Sequence, residues 1–300
     1  LAIEHLGIDS GLQSMAMCLT AEIYYQMGEL DKAKKILSDA SVQYPESLVF
    51  PYRLGSLDPE IYTTDLFNQL KRMEQQILAP DNQFYLNWLL SKYSNMENKV
   101  ESEIKLLVEA HKIFKQINKF SYDSDFYLKH LNTITPPATN ELEALRNSDS
   151  SPLSPIFIVG IPRCGSTLIE NIICSGTQQV LKGEESSVFF KAIMNDTIKS
   201  DDSEFWPKLQ NDVKKKYEQS QLLKDDLRFT DKSLENIFLI DFILELYPNA
   251  KIVYCERNPL ASIISILKNN MVSLPWAHDV GEIFQYTDNC LTAAEKYNNK

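Results

Sequence analysis

The chain has 300 residues, 44% hydrophobic and 24% charged, with a net charge of −11, enough length for two domains that each bury a core. The acidic balance argues against a nucleic-acid partner, whose phosphates call for a basic face, and no run approaches the ~18 apolar residues of a membrane span. The five cysteines, Cys18, Cys164, Cys174, Cys255 and Cys290, have neither CxxC nor zinc spacing, which reads as reduced thiols in a cytoplasmic compartment and no metal site.

Residues 14–47 carry a periodic unit. Ala21, Tyr24, Gly28, Ala33, Leu37, Ala40 and Pro45 occupy the small, aromatic, turn and terminating positions of a 34-residue tetratricopeptide repeat. Ala21 and Ala33 allow two helices to approach closely, "GELD" supplies the turn, and Pro45 stops the second helix. The following units are degenerate. Helical spacing recurs over 66–78, 84–96 and 99–117, with a further helix near 123–133. The aromatic stripe of Phe84, Tyr85, Trp88 and Tyr93 reads as core, and His111 and His130 as structural, since neither has a metal-ligand neighbour at i+4. These residues predict a tetratricopeptide-like helical region over 1–134. "TPPATN" and "NSDSSPLSP" mark a linker over 135–154.

At 155–300 the pattern changes to α/β. "IFIVG" (156–160) is a short, branched apolar run of the kind that forms a buried parallel strand, and "STLIENIIC" opens a helix with Leu168, Ile169, Ile172 and Ile173 on one face. Gly160 and Gly165 bound the intervening loop with the spacing of a nucleotide P-loop, but Ser166 stands in the lysine position. The loop's N–H groups and the helix N-terminus point at one anion. The segment 202–226 reads as a solvated amphipathic helix, and "LRFTDKS" (227–233) as a strand end presenting Asp231 and Lys232. "LENIFLIDFILELYPNA" follows as a crossover helix. A second strand, "AKIVYC" (250–255), turns into a helix with Asn258 as N-cap and Pro259 at its first position. Arg257 stands at that strand's carboxyl end, where open α/β sheets bind ligands, and Ser262 and Ser265 share one face of the helix. Two anion-reading strand ends without a P-loop lysine imply a nucleotide phosphorylated at two places, with no magnesium.

These residues resemble a known family. "PIFIVGIPRCGSTLIENII" looks like the 5′-phosphosulfate loop of sulfotransferases, and "VYCERNPLASIIS" like their 3′-phosphate motif. "KGEESSVFF" and "TDKS" look like stretches of tyrosylprotein sulfotransferases, and the repeat-plus-α/β layout is similar to bacterial tetratricopeptide-repeat sulfotransferases. The resemblance implies a P-loop-like three-layer α/β domain with a parallel sheet and 3′-phosphoadenosine 5′-phosphosulfate as donor, leaving adenosine 3′,5′-bisphosphate as product. Arg163, Cys164, Gly165, Ser166 and Thr167 fall on the 5′-phosphosulfate positions, Arg257 and Ser265 on the 3′-phosphate positions, Glu185 on the catalytic base, and Lys232 on a lysine beside the transferring group. Two positions depart from the pattern. Ala261 replaces an acid after "RNPL", and Ser187 replaces an arginine of the tyrosylprotein enzymes, which turns the expected acceptor away from acidic tyrosine peptides. The chain ends inside an expected helix, where resembling enzymes continue with another strand and a nucleotide cover, so a fragment with an open sheet edge or cleft is expected.

Sulfuryl transfer is an in-line displacement in which positioning and electrostatics dominate, so Arg163 and Lys232 join Glu185 as the catalytic set. Glu184 and His278 are the other candidate bases. Cys164 is an oxidation-sensitive neighbour with no catalytic role. The acceptor is a hydroxyl on a small molecule, glycan or protein, and the helical repeats offer a surface for a protein partner. The rival readings are a nucleotide-dependent kinase, disfavoured by the absent lysine, and an inactive repeat-based interaction protein.

Overall fold

The structure is a computed structural model that describes residues 10–123, 154–177, 179–193, 204–223 and 228–297. The expected helix near 123–133, His130 and the linker segments up to residue 153 lie outside the described residues. Two compact units form: one from Leu1–Ser121 with Asn270–Val280, the other from Tyr122–Asn269 with Gly281–Lys300. Their described parts are a helical region and a parallel sheet with helices, the α plus α/β division the sequence predicts. None of the described helices is long and apolar enough to cross a membrane.

In the first unit, α1 (Ser10–Gln26) and α2 (Leu30–Gln43) meet along Cys18, Ala21, Ala33, Leu37 and Ala40. Small side chains let the two backbones approach, and Gly28 takes the left-handed turn between them (φ +76°). A helix not expected from the sequence, α3 (Val49–Leu57), adds Phe50 and Leu54 to the same core. Its nine residues with a proline inside gave too short a period to read. Thr63 caps α4 (Thr64–Met73), accepting from the Leu66 N–H, and the helix stops before residue 78 in a turn closed by Gln76 N–H to Met73 O. Helices α5 (Pro80–Met96) and α6 (Val100–Asn118) complete the region, with Phe84, Trp88 and Tyr93 buried as their spacing implied.

The segment 270–280 packs in this unit, although its sequence neighbours are in the other. Trp276, Ala277 and His278 are buried there. His278 Nδ1 lies 3.0 Å from His111 Nδ1, its Nε2 lies 3.1 Å from the Met271 carbonyl, and its ring stacks on Phe114 at 4.6 Å. The carbonyl can only accept, so His278 carries its proton on Nε2 and accepts at Nδ1 from His111 N–H. Burial first, and His111 second, hold the His278 pKa down at about 4, with Lys115, itself paired to Asp279, adding to the effect. A histidine depressed in the folded state loses stability as pH falls from the unfolded value near 6.5 toward 4, and has no effect above that window. We expect urea unfolding to show a loss approaching about 3 kcal/mol across those pH units, beyond the loss seen in His278→Gln. Parallel pH profiles for the two proteins would count against it.

In the second unit, β1 (Ile156–Gly160) is buried along its length and runs parallel to β3 (Arg228–Asp231) and β4 (Lys251–Cys255) on either side. A two-residue β2 (Val180–Leu181) completes the order β2-β3-β1-β4. Helix α7 (Ser166–Cys174) follows β1, α8 (Val188–Ile193) follows the β2 loop, and α9 (Phe205–Gln219) precedes β3. The expected crossover helix is broken into a 3-10 turn (Leu234–Phe238) and α10 (Ile240–Leu246). Helix α11 (Pro259–Leu267) follows β4 with Asn258 Oδ1 accepting from the Leu260 and Ala261 N–H groups, and α12 (Val280–Glu295) follows the 270–280 segment.

Two readings need correction. Helix α9 is not a solvated helix: Phe205, Trp206, Leu209, Val213 and Tyr217 bury one face, a stripe that the lysines between them hide from a composition reading. In α7, Leu168 and Ile172 are exposed, and the residues turned inward are Ser166 and Glu170.

Candidate functional site

The parallel strands place their carboxyl ends side by side, and the loops leaving those ends carry the candidate side chains. Cys255 at the end of β4 is the register partner of Gly160. A Cβ on Gly160 would lie 2.7 Å from the Cys255 carbonyl, so only glycine lets the loop start this close to β4. The loop then turns through Arg163 (φ +71°) and Gly165 (φ +100°) into α7. A non-glycine residue held at positive φ stores about 1–3 kcal/mol of strain, which the surrounding contacts must offset. One such contact is visible: Arg257 Nη1 donates to the Arg163 carbonyl at 2.8 Å.

The two sequence motifs meet in space. Arg163 Nε donates to Ser265 Oγ at 3.1 Å, across 102 residues of sequence, and both arginines are exposed to incoming ligand. Ser262, the other serine of that helix face, is fully buried and its Oγ has no partner among the described residues, so Ser265 alone faces the loop. The Cys164 thiol is held below the usual thiol range chiefly by a hydrogen bond from Cys255, opposed by burial and helped by the Ser166 N–H; Cys255 is pushed up by the same partnership. All five cysteines are free thiols.

The second cluster lies on the β2–α8 loop and the end of β3. Lys232 Nζ is 2.6 Å from Glu185 Oε1; the lysine side chain is 6% exposed and the carboxylate 70%. The buried stem thus presents a fixed cation to an acid at the cleft mouth. Glu184, beside it, has a left-handed backbone (φ +54°) and pairs with Lys182 at 3.3 Å. Thr167, Glu170, Lys182, Gly183, Glu184, Glu185 and Lys232 line one cleft of about 430 Å³, which brings the start of α7 to the same space as the Lys232–Glu185 pair.

The expectation that Asp231 and Lys232 are presented together divides in the structure. Asp231 is fully buried, accepting from Ser186 Oγ and Tyr217 OH at 2.7 Å each, and from the N–H and hydroxyl of Ser233 at 3.0 and 2.6 Å. With a longer bond from Asn236 Nδ2 at 3.4 Å, five donors satisfy the carboxylate, so it locks β3, α9 and the loop around Lys232 instead of facing solvent. Burial, then Asp231, raises the Tyr217 pKa well above the ordinary phenol value, which keeps that donor protonated. His278 sits in the other unit with both ring nitrogens engaged.

One residue of this site escaped the sequence reading. Glu170 on α7 is fully buried, and its Oε1 accepts from the Glu184 N–H at 3.0 Å and from Thr230 Oγ1 at 2.7 Å. Its position four residues after Ser166, one helical turn from the loop, was the available signal.

Residues 155–299 match the sulfotransferase family. The matched span covers all four strands and both motif loops, so the sulfotransferase likeness falls on the unit that holds the cleft. An uncharacterized protein of Aquifex aeolicus (strain VF5) is 24% identical over 289 residues, 90% of this chain and 36% of the relative. The chain therefore spans about a third of that relative's length. No solved structure matches the chain significantly.

Proposed function

We propose that the second unit transfers a sulfuryl group from 3′-phosphoadenosine 5′-phosphosulfate to a hydroxyl acceptor, with Glu185 as general base. The observation that carries this reading is the shared cleft, in which Thr167 of the phosphate loop and the Lys232–Glu185 pair face one space. The residues present suit such a donor. Gly160 leaves room for no Cβ, Gly165 opens α7 at the end of the loop, and the Arg163–Ser265 contact brings the 5′ and 3′ reading side chains within one nucleotide's reach.

Residues 163–167 would hold the phosphosulfate, Arg257 and Ser265 the 3′-phosphate. When bound, the donor supplies an activated sulfuryl group whose leaving phosphate gains charge. Arg163 offers forked donors suited to an oxyanion, and Lys232 neutralises charge at the developing leaving oxygen without a metal ion. Glu185 takes the acceptor's proton at its carboxylate, and Lys232 holds that carboxylate in place until acceptor arrives. Among the described residues no cluster of His, Cys, Asp or Glu could hold a metal ion. The P-loop-like, three-layer form of this unit and the tetratricopeptide character of α1–α6 are parts of the same proposal. The Ala21–Ala33 approach and the Gly28 turn support the latter. A hydroxyl-bearing small molecule, glycan or protein is the acceptor class, the repeats are a surface for a protein partner, and the location is cytoplasmic.

Adenosine 3′,5′-bisphosphate should stabilise the protein without magnesium by about 2.7 kcal/mol at a hundredfold excess over its Kd, well beyond any effect of ATP with magnesium. Arg257→Ala should weaken that ligand by about 1.5–3 kcal/mol in calorimetry, with little change for adenosine 5′-phosphate. A preference for ATP with magnesium would move the protein to the kinases. Equal losses for both nucleotides would leave Arg257 only its contact with the Arg163 carbonyl.

A further inference from the structure

We propose that Glu170 is a positioning residue that couples the nucleotide loop to the base: its buried carboxylate fastens the backbone of Glu184, and through it Glu185, to the helix that begins at the phosphate loop. The inference rests on the sulfotransfer reading above. The connection is continuous. Ser166 opens α7, Glu170 follows one turn later, and its Oε1 accepts from both the Glu184 N–H and Thr230 Oγ1. Thr230 Oγ1 in turn accepts from the Gly183 N–H at 3.0 Å, and the Glu184 carbonyl accepts from the Lys232 N–H at 2.8 Å. The base and its lysine are thus hung from one carboxylate on the nucleotide helix.

The chemistry of the site argues against a purely stabilising role. Glu170 Oε2 is buried with no hydrogen-bond partner among the described residues. A buried acceptor left unsatisfied costs stability, so stability alone does not account for a carboxyl group at this position. What an apolar residue could not do is hold the Glu184 amide at a left-handed φ of +54° with Glu185 directed to the cleft. Sulfuryl transfer depends on sub-ångström placement of base and donor, so a rigid link between their two loops acts on turnover more than on affinity.

The test compares full-length-chain variants Glu170→Ala, Glu170→Gln and Thr230→Val, using adenosine 3′,5′-bisphosphate as the probe. In the wild type, the probe should slow amide hydrogen exchange over residues 182–185. In Glu170→Ala and Thr230→Val, exchange there should be faster by about tenfold and insensitive to the probe, while β1 and β4 are unchanged. With an acceptor found by screening, kcat should fall by about tenfold or more while the Kd of the probe stays within about threefold. Glu170→Gln keeps a carbonyl oxygen for both bonds and should recover most of the lost kcat. Unchanged exchange at 182–185, a Kd that rises as far as kcat falls, or a Gln variant no better than Ala would each overturn the proposal. Thr230→Val carries the test if Glu170→Ala does not fold. A wild type that fails to bind the bisphosphate would sink the sulfotransfer reading itself, and the ligand-free exchange difference would still decide whether Glu170 holds the loop.

Discussion

Glu185→Gln should lower turnover by about 10²–10⁴-fold, the usual range for loss of a general base, while the affinity for adenosine 3′,5′-bisphosphate is nearly unchanged. Glutamine retains a carbonyl oxygen for the hydrogen bond that Lys232 Nζ makes at 2.6 Å, so the contact is kept while the ion pair and the proton acceptance are lost. The adjacent acid gives the control. The Glu184 side chain is exposed and, among the described residues, pairs with Lys182 at the surface, a contact worth up to about 1 kcal/mol. Its functional contribution is through its backbone, which Glu184→Gln leaves intact, so turnover should fall by no more than about fivefold. His278 cannot take over as base, because both its ring nitrogens are engaged with His111 and Met271. Steady-state kinetics on the three proteins checks this. If Glu184→Gln is the silent enzyme, the roles of the two acids are exchanged.

Much of this site was legible because its signals are local. A buried apolar strand, two glycines with four residues between them and a helix start mark a strand–loop–helix in one continuous stretch, and Asn258–Pro259 marks a helix start in the same way. The parallel sheet followed from "IFIVG" and "KIVYC", but only the first is buried along its length: β4 ends the described sheet and is partly exposed, where a buried strand was expected. What escaped is set by contacts between distant segments. Glu170 looked like a polar residue on an amphipathic helix, because its partners Glu184 and Thr230 lie 14 and 60 residues away. Leu168 and Ile172 looked like the buried face for the same reason: periodicity marks a face but does not say which side the sheet is on. Asp231 and Lys232 are both buried, but only Lys232 lines the cleft, because successive residues at a strand end point to opposite faces. The return of residues 270–280 to the helical unit has no periodic signature, since a buried histidine pair is recognised only when both rings are seen.

Gly183→Ala should be the most damaging single methyl addition among the described glycines of the site. A Cβ there would lie 1.8 Å from the Thr230 carbonyl oxygen and 3.0 Å from its carbon, both backbone atoms of β3 that cannot rotate away. The methyl group must therefore lift the loop from the strand. That movement breaks the Gly183 N–H bond to Thr230 Oγ1, the Glu184 N–H bond to Glu170, and the Lys232 N–H bond to the Glu184 carbonyl. Overpacking a tight site costs about 1–3 kcal/mol and each lost bond about 1 more, so a total of about 2–4 kcal/mol is expected after partial relaxation. At about 2–4 °C per kcal/mol for a unit of this size, Tm should drop by roughly 5–15 °C. Turnover should fall at least as far as in Glu185→Gln, since base and lysine lose their common anchor. Gly176→Ala gives the comparison: its Cβ would meet only the Ile173 carbonyl at 3.4 Å, an ordinary contact, and stability should change by less than about 0.5 kcal/mol. Calorimetric scans of the two variants decide the matter, and a Gly183→Ala protein with wild-type Tm and turnover would mean that the loop carrying Glu185 does not depend on its seat against β3.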